Sequence, residues 1–315
     1  MPKPCLTKEL AEILVQGEEI VKVESPSLRL TKYVRVKKSS TELPPKPDNR
    51  YATKQENDAW KNLKAKEDAL KKSELSEVQK VYNAHARLPE KSGYALRLNS
   101  PEACSFVLKT GARLMVNMAK GFHENANINL HRNFGYPEIP GSVVKGCAAH
   151  CAREILWSEE TSDEKQCNIA KKIIRIFGFP TNDEKLDNFL RKNIPEKEIS
   201  NCAGKIAFFS AIPWLKRPSL EIDVLTPHHS QYYKGEKRKA TDDEAPVPSF
   251  FLSIAAGSEF LFSLKIVNDG TPNDLAFAKD ILKKSLIENG IGAKTAAGYG
   301  WFEACDKTPT MKDIK

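Results

Sequence analysis

The chain has little that would take it into a membrane. Its first residues, MPKPCLTKELAEILVQGEEI, contain no unbroken apolar core of the kind a secretory leader needs. One apolar stretch, VPSFFLSIAAGSEFLFSLKIV (residues 247–267), invites a test as a span, but Glu259 beside Gly257 and Ser258 interrupts it. A charge there is costly in lipid, and a turn between two strands explains the small residues better. Cysteine is sparse: seven residues, an odd number without paired spacing. That argues against a disulfide framework and predicts reduced thiols in the cytoplasm. The common nucleotide loops are missing too. GIGAKTAAGYG (residues 290–300) packs four glycines and a lysine into eleven positions. A mononucleotide loop, however, needs strand, G-x-x-x-x-G-K-S/T, then helix. Here Ala293 separates Gly292 from Lys294, a helix precedes the loop, and five residues part Gly292 from Gly298, which breaks the dinucleotide spacing as well.

What is present suits a soluble globular protein of 315 residues, 40% apolar and 29% charged. Lys+Arg exceed Asp+Glu by 49 to 41, and residues 1–100 hold 20 of these bases against 14 acids. A polyanionic partner is favoured, with a nucleic-acid surface beginning in that first third. LRLTKYVRVKK (28–38) reads as a strand or hairpin arm whose basic face carries Arg29, Lys32, Arg35 and Lys37. A proline-rich break (41–50) and a charge-dense helical segment (53–87) follow.

The expected core begins near residue 101 and ends near 306, ahead of a short tail (307–315). Residues 105–118 alternate as one strand, with Phe106, Leu108, Ala112, Leu114, Val116 and Met118 on one face. After a polar loop, GSVVKGCAAHCAREIL opens a helix with Ser142 as N-cap and Val144, Cys147, Cys151 and Ile155 inward. Residues 158–203 read as a helical insertion, 205–213 and 219–227 as strands, and 228–248 as a mobile polar excursion. Two strands flank Ala256-Gly257-Ser258. A helix capped by Thr271-Pro272-Asn273-Asp274 runs to Gly290, and a short strand closes the core at 299–305.

Two features point to phosphate. The loop offers exposed amides and no Cβ at Gly290, Gly292, Gly298 and Gly300, with Lys294 and Thr295 between them, so it can approach a sugar-phosphate backbone closely. In EIPGSVVKG (138–146), Lys145 is expected in the first turn of a helix, against the dipole. The bland reading is a solvated lysine; the functional one is helix amides and a lysine sharing an anion. Cys147, His150 and Cys151 have helical spacing that a metal could use with Cys167 or Cys202, but they read better as packed thiols on a small face, and no metal or other cofactor is expected. The pair His228-His229 in a polar loop reads as solvated, whereas Tyr232-Tyr233 suggest an interface on which tyrosines stack on bases or on a neighbouring protein.

Taken together, Ile139-Pro140-Gly141-Ser142-x-x-Lys145-Gly146 and the G-I-G-A-K-T-x-x-G-Y-G loop resemble the RAMP superfamily of CRISPR proteins. Leu130-His131-Arg132, Phe134-Gly135-Tyr136-Pro137 and LEIDVLTPHHSQYY (220–233) narrow the resemblance to the sixth-subunit family of type III-B Cmr effector complexes. The likeness spans about residues 105–305 and leaves 1–100 uncovered. It implies an α+β, ferredoxin-like RAMP core, related to RNA-recognition domains and carrying helical insertions, whose sheet, glycine loop and helix start track guide RNA. It also implies a place at the head of the complex near the guide's 3′ end, with crRNA, target RNA, the first Cmr subunit and the backbone subunits as partners and no membrane. The implied RNA contacts are Ser142, Lys145, the loop with Lys294, and His131 and Arg132. The superfamily's target-cleaving subunit uses an aspartate after the first strand; residues 119–140 have none, only Glu124 and Glu138, so a non-catalytic member is expected. The rival is a metal-independent endoribonuclease processing CRISPR transcripts, with His131 as general acid or base.

Overall fold

A computed structural model describes residues 75–98, 102–116, 128–158, 163–181, 183–195, 202–226, 248–304 and 308–314, with isolated positions elsewhere. Arg29, Lys32, Arg35, Lys37, the 28–38 strand, Glu124, His228, His229, Tyr232 and Tyr233 lie outside the described residues. The chain divides into two compact units, Met1–Ala86 with Asn117–Gly135 and Leu220–Ser253, and Arg87–Val116 with Tyr136–Ser219 and Ile254–Lys315. Among the described residues, no helix is long and apolar enough to cross a membrane.

In the first unit, strands Leu220–Leu225 and Ser249–Ile254 pair with each other. The charge-dense segment forms a helix over 75–85 that buries Leu75 and Tyr82 and sends the Gln79 amide to the Leu220 carbonyl. A two-residue antiparallel ladder joins Val15–Gln16 to Glu19–Ile20.

The second unit starts with a helix that no expectation covered, α1 (Lys91–Leu98), followed by strand β1 (Ala103–Thr110). Helix α2 (Gly141–Leu156) and helix α3 (Asp163–Phe177) come next. A short ladder then joins β2 (Gly178–Phe179) to β3 (Cys202–Ala203) around helix α4 (Glu184–Asn193). Strands β4 (Ile206–Phe208), β5 (Ile212–Pro213) and β6 (Glu259–Ile266), helix α5 (Pro272–Glu288) and strand β7 (Phe302–Glu303) complete it. The antiparallel sheet is ordered β7-β1-β6-β4, with β5 also on β6. Thus β1-α2-β4 and β6-α5-β7 interleave as the split βαβ arrangement of ferredoxin-like folds.

The expected strand over 105–118 is shorter, because Thr110 and Gly111 donate to Ser258 and Trp301 and the ladder stops. Phe106, Val107 and Leu108 are all buried, so both faces of the strand are covered there. One face lies under α5: Phe106 stacks on Phe262 at 5.5 Å, Phe262 meets Phe302 edge-on at 5.4 Å, and the Lys283 ammonium sits 5.2 Å over Phe106. The other lies under α1. There Tyr94 meets Trp214 edge-on at 5.3 Å, its hydroxyl donates to the Pro213 carbonyl at 2.6 Å, and Ser105 donates to the Arg97 carbonyl at 3.2 Å. Burial pushes the Tyr94 phenol up to about 12, so it stays a donor. Val107 and Leu261 are fully buried on that face.

The expected strand 205–213 is also interrupted. Leu264 pairs with Phe208 and Leu261 with Ile212, so three steps on β6 face four on its partner and one extra residue bulges between β4 and β5. Helices of the 158–203 segment join the layer over the sheet: Arg175 of α3 grips Asp274 of α5 through two bonds of 3.1 and 2.7 Å. Asp274 also forms the expected capping box with Thr271. The Arg175 guanidinium, with help from Thr271 and against burial, holds the Asp274 carboxyl at about 2 instead of 3.8. A depressed carboxyl stabilises the fold above its ordinary value and loses that contribution as pH falls through about 2. Asp274→Asn is therefore expected to lower stability by about 1–2 kcal/mol at pH 7, allowing for the solvent-exposed side of Arg175. Urea midpoints should show the gap closing between pH 4 and pH 2.

Candidate nucleic-acid interface

The glycine loop begins where α5 ends. Asn289 and Gly290 both donate to the Ser285 carbonyl, at 2.9 and 3.0 Å, and Ile291 donates to the Gly300 carbonyl at 2.9 Å, closing the loop at its base. Two more bonds fasten it to the segment after β1: Ala293 to the Met115 carbonyl at 2.8 Å and Gly300 to the Arg113 carbonyl at 2.7 Å. A Cβ on Gly292 would strike the Met115 oxygen, and one on Gly300 the Ile291 oxygen, so both glycines are required by close backbone approach. Inside the loop, Ala297 and Tyr299 donate to the Lys294 carbonyl and Gly298 to that of Thr295, which also accepts from the Trp301 indole at 3.0 Å. The amides of Gly292, Lys294, Thr295 and Ala296 are left without an acceptor among the described residues. Lys294 stands at φ 60° and ψ 33°, a left-handed conformation unusual for a side chain with a Cβ, and makes no ion pair among the described residues.

The start of α2 differs in detail from expectation. Pro140, not Ser142, is the N-cap: its φ of −55° suits helix entry, and its carbonyl takes the Val143 and Val144 amides at 2.9 and 3.0 Å. Ser142 is exposed in the first turn, and Lys145 is the fifth helical residue, just beyond that turn. The entry rests on the β4–β5 bulge. Ile139 and Ala211 exchange bonds of 3.0 and 2.8 Å, and the Gly141 amide donates to Ser210 Oγ at 3.3 Å. Inward positions of α2 are Val144, Ala148, Cys151, Ala152 and Leu156; Cys147 and Ile155, expected inward, are half-buried.

A groove of about 680 Å³ runs between α2 and the loop, lined by Val143, Cys147 and Glu154 on one side and Gly290, Gly292 and Thr295 on the other. The two expected motifs therefore share one groove, while Lys145 and Lys294 do not line it. At its far end His150 contacts Glu154 at 3.3 Å and Lys284 contacts Glu288 at 3.7 Å. These carboxylates put negative charge at that end, whereas the loop rim presents backbone amides. The residues weighed as metal ligands go separate ways. Cys147 bonds Ser285 Oγ at 2.9 Å and the Gly290 carbonyl at 3.4 Å, and burial pushes its thiol up. Cys151 is buried, which raises it to about 11, and His150 turns to Glu154. Cys167 is half-buried, and the Cys202 side chain lies outside the described residues.

His131 and Arg132 belong to the first unit, and Ser142, Lys145 and the loop to the second. His131 Nδ1 accepts from the Asn133 and Phe134 amides at 3.3 and 3.4 Å, and its carbonyl takes the Gly135 amide. The imidazole thus organises its own turn, and Nε2 is the nitrogen left for a proton. Two residues escaped sequence reasoning. Arg97 of α1 donates to the Ser210 carbonyl at 2.6 Å and lies 5.7 Å from the Phe209 ring. Burial pushes its guanidinium down, opposed by Tyr136 and Glu138. Only the Phe-Phe pair at 208–209 in an edge strand hinted at this place.

The sequence profile of the RAMP superfamily matches residues 109–303, from the end of β1 through β7, and so includes the α2 entry and the loop. The chain belongs to the RAMP superfamily. Over 258 residues it is 30% identical to the CRISPR system Cmr subunit Cmr6 of Pyrococcus furiosus, covering 70% of this chain and 73% of that protein, which places it among the Cmr6-like members. Among solved structures it is similar to the crystal structure of Cmr6 from Pyrococcus furiosus, with 28% identity, 64% of this chain and 98% of that one covered, and a TM-score of 0.36. It is also similar to a chain in the cryo-EM structure of the type III-B Cmr-beta bound to cognate target RNA, with 18% identity, 81% and 76% coverage, and a TM-score of 0.44.

Proposed function

We propose that the chain binds crRNA, without cutting it, at the 3′-end head of a type III-B Cmr effector complex in antiviral defence. Its neighbours there are the first Cmr subunit, the backbone subunits and target RNA. The observation that carries this reading is the loop: four amides without an acceptor among the described residues, and Lys294 held left-handed where glycine would meet no steric penalty. Strain of this kind persists where a side chain has a task. Amides and lysines recognise phosphate without reading sequence, and specificity falls to base pairing by the guide. The relative's role as a Cmr subunit supports the assignment.

The test is binding of the purified chain to unstructured single-stranded RNA across a salt series. Lys145→Ala and Lys294→Ala should each weaken binding severalfold and reduce the slope of log affinity against log salt by about 0.7, the value of one phosphate contact on a single strand. Lys294→Gly should weaken RNA binding equally while raising stability by about 1 kcal/mol, because it removes the left-handed strain. Unchanged slopes in both lysine variants would count against the RNA reading. RNA cleavage lost in His131→Ala would replace it with the nuclease.

A further inference from the structure

Unpaired RNA bases are commonly held by stacking on aromatic rings, and sheets with this topology usually offer those rings on an open face. Here both faces are closed, one by α5 and the other by α1. The aromatic side chains of β1, β6 and β7 (Phe106, Phe260, Phe262 and Phe302) are buried against one another. A base must therefore find its ring at an edge. Among the described residues Phe209 is the exposed aromatic, at 38%.

Its position is built. Phe209 stands in the bulge between β4 and β5, where its amide donates to the Ser263 carbonyl at 3.1 Å and fixes the backbone. Its neighbour Phe208 turns to stack on Phe177 at 5.6 Å, so the pair divides between packing and solvent. Arg97, anchored on the Ser210 carbonyl, rests against the Phe209 ring. The start of α2 lies directly on this backbone: a Cβ on Gly141 would be 3.2 Å from the Phe209 carbonyl carbon. The exposed ring, backed by its guanidinium, thus springs from the stretch of backbone on which the foot of α2 rests.

We infer that Phe209, backed by Arg97, is a stacking position for one unpaired RNA base beside the α2 entry. The inference rests on the reading that this entry follows an RNA backbone. Stacking adds affinity without neutralising phosphate, so its signature differs from that of the lysines.

The probe is a single-stranded RNA carrying 2-aminopurine at successive positions, titrated with the full chain over a salt series. Phe209→Ala and Phe209→Leu are expected to weaken binding roughly fivefold to a hundredfold with an unchanged salt slope, and to lose 2-aminopurine quenching at one position. Phe209→Trp should keep the affinity, and its own fluorescence should fall on RNA binding. Wild-type affinity in Phe209→Ala, with the Lys145 and Lys294 slopes still reduced, overturns the stacking position and leaves the RNA reading intact. If the lysine variants are silent too, both fall. Wild-type behaviour of Phe209→Leu, or loss of a protein neighbour from the purified complex while RNA affinity is kept, shows a packing or docking ring and also overturns the inference.

Discussion

Gly300→Ala is expected to reduce RNA binding by about two orders of magnitude and to lower stability by about 3 kcal/mol. Gly300 is buried, with φ at 74°, and its backbone is bonded on both sides: its amide to Arg113 and its carbonyl to Ile291. A methyl group there meets two penalties. The left-handed conformation costs about 1–2 kcal/mol for a residue with a Cβ. The new carbon also lands on the Ile291 oxygen and 3.0 Å from its carbonyl carbon, which are backbone atoms with no rotamer to yield. Overpacking of that sort adds about 1–3 kcal/mol. The loop escapes by opening at its base, which breaks the Ile291 bond and disperses the amides of Gly292, Lys294, Thr295 and Ala296. Losing one or two bonds to a charged group, at about 1.5–3 kcal/mol each, accounts for the expected loss of affinity. Gly298→Ala is the control. Its φ is 89°, but nothing lies within 4 Å of the added carbon, so only the conformational cost of about 1 kcal/mol applies and RNA binding should change little. Equal effects of the two substitutions on RNA binding would show that the closed base is not what holds the amides.

The contrast between these glycines marks how far a sequence can be read. That the stretch is a loop between the last helix and the last strand was legible, because its boundary is written locally: Thr271, Pro272 and Asp274 cap α5, and Gly290 ends it. Which glycines are indispensable was not, since Gly292 and Gly300 are crowded by backbone at Met115 and Ile291, whereas Gly298 faces open space. The same division applies to the sheet. Strands β1 and β6 announced themselves by composition. The break at Gly111, the bulge at 209–211 and the closure of the second face by α1 depend on partners far along the chain. Tyr94 reaches Pro213 across 119 residues and Arg97 reaches Ser210 across 113, and neither contact leaves a periodic trace. Ser142 was misread as a cap for a local reason: Pro140 already has a φ suited to helix entry and supplies the accepting carbonyl two residues earlier. That shift also moves Lys145 from the first turn to the position after it.

Gly141→Ala tests the union of sheet edge and helix entry, and it is expected to lower stability by about 2–4 kcal/mol. The cause is not backbone conformation but space. An added carbon would overlap the Phe208 carbonyl oxygen and sit 3.2 Å from the Ser210 amide nitrogen. To relieve this, α2 must lift from the bulge, which strains the Ile139–Ala211 ladder and the bond from the Gly141 amide to Ser210 Oγ. Overpacking at about 1–3 kcal/mol, plus partial loss of these three hydrogen bonds, each worth about 1 kcal/mol when whole, gives the expected magnitude. The functional consequence is coupled. Ser142, Lys145 and the Phe209 ring all depend on the same seat, so the salt slope, the affinity and the stacking signal should fall together, whereas Phe209→Ala lowers affinity and removes the stacking signal with the salt slope unchanged. Gly146→Ala, five residues along the same helix, should do the reverse. Nothing lies within 4 Å of its added carbon, and alanine is favoured over glycine inside a helix by about 1 kcal/mol. Thermal unfolding of the two variants should move in opposite directions. A Gly141→Ala protein as stable as Gly146→Ala would mean that α2 does not rest on the bulge, and would remove the basis for joining Phe209 to the helix entry.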